Sequence, residues 1–199
     1  MFRKKDYTVI DRLEQLAEIA PDREALIYGN EVITFKEFNE RVNRIANALI
    51  NLGIKKGEKV AYMLYTHPKC LEVMYGVLKA GGAIVNVNYR YVAGELEYIL
   101  NNADASFLFY EDDFSNTILE IQPKLPLLRY CINLGENISG NKKFIRFDDL
   151  IKDQPANKLN TPWEIRGEDL MTIFYTGGTT GYPKGEWFIT IMDYLVARG

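Results

Sequence analysis

Apolar positions along this chain follow two spacings, every second residue and every third or fourth, which mark strands and helices respectively. Thr8-Val9-Ile10-Asp11 reads as a helix start with a side-chain oxygen placed to cap backbone N–H groups, and Leu13, Leu16 and Ala17 share the face behind it. Glu24 to Tyr28 and Glu31 to Thr34 read as short strands around a Gly29-Asn30 turn. Thr34-Phe35-Lys36-Glu37 is a capping box, and Phe35, Phe38, Val42, Ile45, Ala46 and Leu49 then repeat at helical spacing as far as Gly53. Lys59 to Leu64 is a strand. His67-Pro68 opens the next helix, whose apolar face carries Leu71, Met74, Val77 and Leu78 and which ends at Gly81-Gly82.

The alternation continues. Ala83 to Val87 reads as a buried strand, Gly94 to Asn102 as a helix, Ser106 to Tyr110 as a strand and Phe114 to Ile121 as a helix closed near Pro123. Arg129 to Leu134 is another strand. The polar stretch from Asn137 to Pro162 reads as a loop with one short helix near Asp148, and Leu170 to Thr176 is the last strand of the series. Strands alternating with helices predict an α/β fold, a mostly parallel sheet with helices on both faces. Ligands in such sheets sit beyond the carboxyl ends of strands.

Composition narrows the function classes. The 199 residues are enough for a domain with a real core, and 47% apolar with 26% charged residues is ordinary globular usage. The net charge is −3, and Lys4-Lys5, Lys55-Lys56 and Lys142-Lys143 lie far apart, so a solvated surface explains them better than a nucleic-acid patch. Cys70 and Cys131 have no metal or disulfide spacing and read as free thiols of a reducing cytoplasm. The charged N-terminus has no signal-peptide apolar region, and no apolar run is long enough to span a membrane.

The chemistry concentrates after the last strand, in the Tyr175 to Gly185 segment YTGGTTGYPKG. Gly177, Gly178 and Gly181 allow close approach of a ligand to the main chain, and their N–H groups can converge on an anion. Thr176, Thr179 and Thr180 add hydroxyl donors, Lys184 adds a mobile positive charge, and Pro183 stiffens the approach to it. Together these suit a polyphosphate. The plainer alternative is a ligand-free glycine loop, but three glycines, three threonines and a lysine directly after an apolar strand argue against it. A Walker A loop is excluded because no Gly-Lys-Ser/Thr occurs, and no G-x-G-x-x-G supports dinucleotide binding.

At these residues the chain resembles the AMP-forming adenylate ligases, which include acyl-CoA synthetases, luciferases and peptide-synthetase adenylation domains. The resemblance extends upstream through Ile33 to Leu64, Val73 to Tyr91 and Glu95 to Phe109, three blocks in the family's order. Within the family, NVNYRYVAGELEYIL looks most like synthetases of fatty or other bulky acyl acids. The resemblance implies a reaction in two steps. A carboxylic acid attacks the α-phosphate of ATP to give acyl-AMP and pyrophosphate, and coenzyme A then displaces AMP to form a thioester. It assigns Thr176, Gly177, Gly178, Thr179, Thr180, Gly181 and Lys184 to the ATP phosphates, with Mg²⁺ and with Lys184 stabilising charge on the leaving pyrophosphate. Most relatives carry serine where Gly178 stands, so one hydroxyl is missing while the backbone donor stays.

The resemblance covers residues 8–185 and stops at Gly185. The family's later elements, a glutamate for Mg²⁺, an aspartate for the ribose, and a C-terminal domain with its adenylation lysine, have no counterpart before Gly199. The expectation is therefore an N-terminal fragment of a ligase, a truncated product inactive by itself, with a non-catalytic polyphosphate-binding or vestigial chain as the alternative. Residues 186–199 form a divergent tail in which Trp187, Phe188, Ile191, Met192, Leu195 and Val196 repeat at helical spacing, which predicts an amphipathic helix.

Other candidates read more plainly. His67, the one histidine, is expected to be a capping or surface residue, and a single histidine supports no serine–histidine–acid arrangement. Glu111-Asp112-Asp113 reads as a solvated helix N-terminus, where negative charge is favourable. Tyr89 and Tyr91 read as packing residues.

Overall fold

The computed structural model describes residues 7–136, 140–157, 159, 161–176 and 184–189. The chain opens with helix α1 (Val9–Ile19), a hairpin of β1 (Glu24–Tyr28) and β2 (Glu31–Thr34), and helix α2 (Phe35–Asn51). Both helices begin with the expected side-chain caps, and in each the cap is reciprocal. The Asp11 amide donates to Thr8 Oγ1 at 3.2 Å and the Thr8 amide to Asp11 Oδ2 at 3.0 Å. Thr34 and Glu37 repeat the arrangement at 3.3 and 2.8 Å, so orphan N–H groups at each helix start are satisfied. Alternation in the hairpin turns Ile33 inward onto Leu13, Phe38 and Val42, while Ile27 and Val32 stay exposed.

The main sheet is built from β3 (Lys59–Met63), β4 (Ala83–Asn86), β5 (Ala105–Tyr110), β6 (Tyr130–Asn133), β7 (Phe144–Arg146), β8 (Leu170–Thr176) and β9 (Lys184–Ile189). Their spatial order is β7-β6-β5-β3-β4-β8-β9. β3 to β8 run parallel, and β9 returns antiparallel beside β8. Helices α3 (Pro68–Lys79), α4 (Ala93–Asn102), α5 (Ser115–Ile121) and α6 (Phe147–Ile151) are the other α-helices among the described residues. The period of two divides the core cleanly. Val60, Tyr62, Phe107 and Phe109 pack with α1, α2, α3 and α6 on one face, while Ala61, Met63, Leu108 and Tyr110 pack with α4 and α5 on the other. This is the predicted α/β architecture.

Helices α2 and α3 touch closely at Gly76, where an added Cβ would lie 2.5 Å from Ile45 Cγ2. The buried residues of α3 include Val73, Gly76, Val77 and Leu78; Leu71, placed by periodicity on the apolar side, is exposed. Two elements depart from the sequence reading. β7 lies inside the stretch read as a loop, paired with β6. Lys184–Ile189 is a strand where an amphipathic helix was expected from Trp187, and the remainder of that tail lies outside the described residues.

The crossover from α6 to β8 is tied down by α2. Asn43 Nδ2 donates to the Ala156 carbonyl at 2.7 Å, Asn47 Nδ2 to that of Pro155 at 2.9 Å, and Arg44 to that of Gln154 at 2.7 Å. Asn51 Nδ2 adds a bond to the Gln154 side chain at 2.8 Å. Positions four apart on a helix share a face, so Asn43, Asn47 and Asn51 act as one rail for an extended strap.

Burial in this core sets an alkaline limit. Burial pushes the Cys131 thiol from 9.0 up to about 12, and burial followed by the nearby Cys131 pushes the Tyr110 phenol from 10.0 up to about 12. Both groups keep their protons in the folded chain at pH values where the unfolded chain loses them. Stability is therefore complete below 9.0 and falls as pH rises towards about 12. Urea midpoints are expected to be level from neutral to about pH 9 and to drop by about pH 11. A midpoint that stays level to about pH 11 would show that neither proton is held by the fold.

Candidate functional site

Because β3 to β8 are parallel, their carboxyl ends share one edge of the sheet. The connections leaving that edge diverge at two places. β3 leads through α3 to β4 on one side, while its neighbour β5 leads through α5 to β6 on the other. β4 leads back across β3 to β5, while its neighbour β8 turns outward to β9. Diverging connections leave a crevice above the strand ends, where open α/β sheets bind ligands.

The crevice between β3 and β5 holds a polar and aromatic cluster. His67 Nε2 lies 2.6 Å from Glu111 Oε1, and the Tyr65 amide donates to the same oxygen at 3.3 Å. The Tyr65 hydroxyl donates to Asp113 Oδ2 at 3.1 Å. Its ring meets Tyr89 edge-on at 5.2 Å and leans on Phe114 at 5.5 Å. Desolvation, then the Asp113 contact, raises the Tyr65 phenol above its usual range. A cavity of about 320 Å³ opens beside this cluster, lined among others by Arg41, His67, Lys69, Glu72, Glu111 and Leu134. Its charges are mixed, and Arg41 is already engaged by Glu72 at 2.9 Å.

These contacts correct two expectations. His67 stands at the position preceding α3, but its side chain makes no capping bond and instead pairs with Glu111. The acidic run is not simply solvated: Glu111 and Asp113 hold His67 and Tyr65, and Asp112 Oδ1 accepts from Asn133 Nδ2 at 2.8 Å. No local spacing signals a pair 44 residues apart; the parallel pairing of β3 and β5 makes it. Tyr89 packs on Tyr65 and Tyr91 against the α4 side of the core, as packing residues. Among the described residues no group of His, Cys, Asp and Glu could hold a metal ion.

The second crevice lies where β8 ends. β8 pairs with β4 as far as Phe174 opposite Asn86, and with β9 two residues further, to Thr176 opposite Lys184. The two ends of the glycine-rich segment are thereby brought together as a hairpin stem at the carboxyl edge of the parallel strands. Gly177, Gly178, Thr179, Thr180 and Gly181 lie outside the described residues, with Tyr182 and Pro183. The stem brings the backbone of Thr176 beside that of Lys184, the outermost members of the candidate set.

Comparison with known proteins agrees with this geometry. Residues 13–187 match the family model of the AMP-binding enzymes. The chain is 33% identical over 181 residues to a medium/long-chain-fatty-acid–CoA/3-oxocholest-4-en-26-oate–CoA ligase of Mycobacterium marinum, covering 89% of this chain and 33% of that protein. It is 32% identical over 180 residues to a 3-oxocholest-4-en-26-oate–CoA ligase of Rhodococcus rhodochrous. Among solved structures, the anthranilate CoA ligase AuaEII in complex with anthranoyl-AMP superposes with a TM-score of 0.86 at 28% identity, over 94% of this chain and 36% of that one. The chain thus spans about a third of the length of the curated relatives it matches.

Proposed function

The chain belongs to the AMP-binding enzyme family, and from that membership we propose that it is the N-terminal part of an ATP-dependent, AMP-forming acid–CoA ligase. In this reading Thr176, Gly177, Gly178, Thr179, Thr180, Gly181 and Lys184 bind the ATP phosphates. The observation that carries it is the stem closing Thr176 against Lys184 at the carboxyl end of β8. That pairing sets the two ends of the glycine-rich segment side by side at the carboxyl end of β8, beside a divergence in the sheet connections. The chemistry follows from charge. When a carboxylate attacks the α-phosphate, negative charge builds on the departing pyrophosphate, and preorganised N–H groups, hydroxyls and the Lys184 ammonium stabilise it. Mg²⁺ enters as the partner of ATP; the described residues offer no cluster of His, Cys, Asp and Glu to hold it. Coenzyme A is the acceptor in the second step.

The acid is proposed to be fatty or similarly bulky, in keeping with the names of the mycobacterial and rhodococcal relatives. Cys70 and Cys131 are free, which suits a reducing cytoplasm. No described helix is long and apolar enough to cross a membrane. The alternative is a module that holds polyphosphate without turnover.

Calorimetry with Mg-ATP tests the site. Lys184→Ala removes a charge-assisted contact worth about 1.5–3 kcal/mol, so Kd is expected to rise roughly tenfold to a hundredfold. Unchanged affinity in this variant would remove the phosphate role from the loop. Thioester formation from acid, ATP and coenzyme A is expected of an intact ligase that carries this chain and not of the chain alone; its failure in such an intact protein would favour the binding module.

A further inference from the structure

The stem that closes the glycine-rich segment has an unusual rung next to its last pair. Beyond Phe174 β8 has lost its partner β4, so Tyr175 and Thr176 are held on that side by no strand pairing. On the other side Tyr175 lies opposite Gly185 in β9. An added Cβ on Gly185 would lie 2.9 Å from Ile173 Cγ2 and 3.3 Å from Tyr175 Cζ, so Ile173 and then the phenol end of Tyr175 stand where a side chain would go. The phenol then reaches α4, where its hydroxyl donates to Asn102 Oδ1 at 2.8 Å. Asn102 is the last residue of that helix, which descends from β4 and packs on the same sheet face as Tyr175.

We propose that Tyr175 is a positioning residue, a latch whose ring over Gly185 and hydroxyl on Asn102 hold the hairpin stem in one register. The consequence for phosphate binding rests on the function proposed above. An aromatic side chain laid across a cross-strand glycine supplies the packing that the glycine lacks, and strands without such pairs are prone to slip. A slip by one residue would part Thr176 from Lys184 and turn alternate side chains to the opposite face. The hydroxyl stays a donor throughout the physiological range, because burial, followed by Tyr98 and Asp104, pushes the phenol up to about 12. Gly185 is required for a steric reason here, independent of any contact with a ligand.

The test uses the full chain with Tyr175→Phe, Asn102→Ala and the double variant, and Gly185→Ala as a second probe. Tyr175→Phe keeps the ring and so spares the fold. Amide exchange in β8 and β9 is expected to quicken about twofold to tenfold in each single variant, with the global unfolding midpoint nearly unchanged. The double variant should be no faster than the quicker single, because one bond is broken once. Gly185→Ala should quicken the same amides more. Mg-ATP affinity should fall in step. Wild-type exchange rates in Tyr175→Phe and Asn102→Ala, or effects that simply add, would overturn the latch. Faster exchange with unchanged Mg-ATP affinity would overturn its positioning role. Absence of Mg-ATP binding by the wild-type chain would instead sink the phosphate reading, while the exchange rates still decide the latch.

Discussion

Phe109→Ala is expected to lower the unfolding free energy by about 3–5 kcal/mol, read from urea denaturation of the full chain. Phe109 is fully buried in β5, opposite Tyr62 of β3 on one side and Ile132 of β6 on the other. Its ring meets Phe147 of α6 edge-on, with centroids 6.3 Å apart. Truncation removes the contacts of the ring and leaves a cavity. The neighbours cannot close it, because Tyr62 and Ile132 are fixed by ladders and Phe147 begins a helix packed in the same core cluster as α2 and α3. Phe109→Leu should cost much less, since it keeps most of the volume. A loss below about 1 kcal/mol for the alanine variant would mean that this face of the sheet can collapse, contrary to its packing.

The centrality of β5 was legible from residues alone. Phe107 to Tyr110 is an unbroken apolar run closed by an acidic turn, as suits a strand buried on both faces. The two capping boxes, the Gly29-Asn30 hairpin and the glycine stops were legible for a similar reason: each is a local rule enforced within four residues. What escaped depends on distant neighbours. The apolar spacing of Trp187 and Phe188 suits a helix as well as a strand, and the open edge of β8 decides for the strand. β7 is three residues long and is a strand because β6 lies beside it. Asn43, Asn47 and Asn51 look like a solvated helix face until the strap arrives more than 100 residues later. The candidate site divides in the same way. The proposed phosphate role of the glycines, threonines and Lys184 rests on local composition, whereas the Tyr175–Asn102 and His67–Glu111 pairs exist only after the sheet has assembled.

Lys79 shows the same dependence with a larger energy attached. At the end of a helix a lysine would ordinarily point to water and complement the helix dipole. Here its side chain is 4% exposed, with Nζ 2.9 Å from Glu14 of α1 and 3.0 Å from Asn39 Oδ1 of α2. One ammonium therefore ties three helices together on the face that also carries the strap. Glu14→Ala is expected to cost about 3 kcal/mol, because it strips the carboxylate from a charge that stays buried. The Glu14 side chain is 19% exposed, so water softens the loss and the figure sits at the low end for a broken buried pair. Removing the charge itself should reverse the effect. Glu14→Leu with Lys79→Met replaces the pair by apolar volume and is expected to recover most of the stability lost in Glu14→Ala. Urea midpoints of the three proteins decide the matter. If Glu14→Ala is nearly neutral, the ammonium is well solvated or re-paired and the ion pair is not what joins the helices. If it is costly and the double replacement does not rescue it, what Glu14 supplies is shape rather than charge.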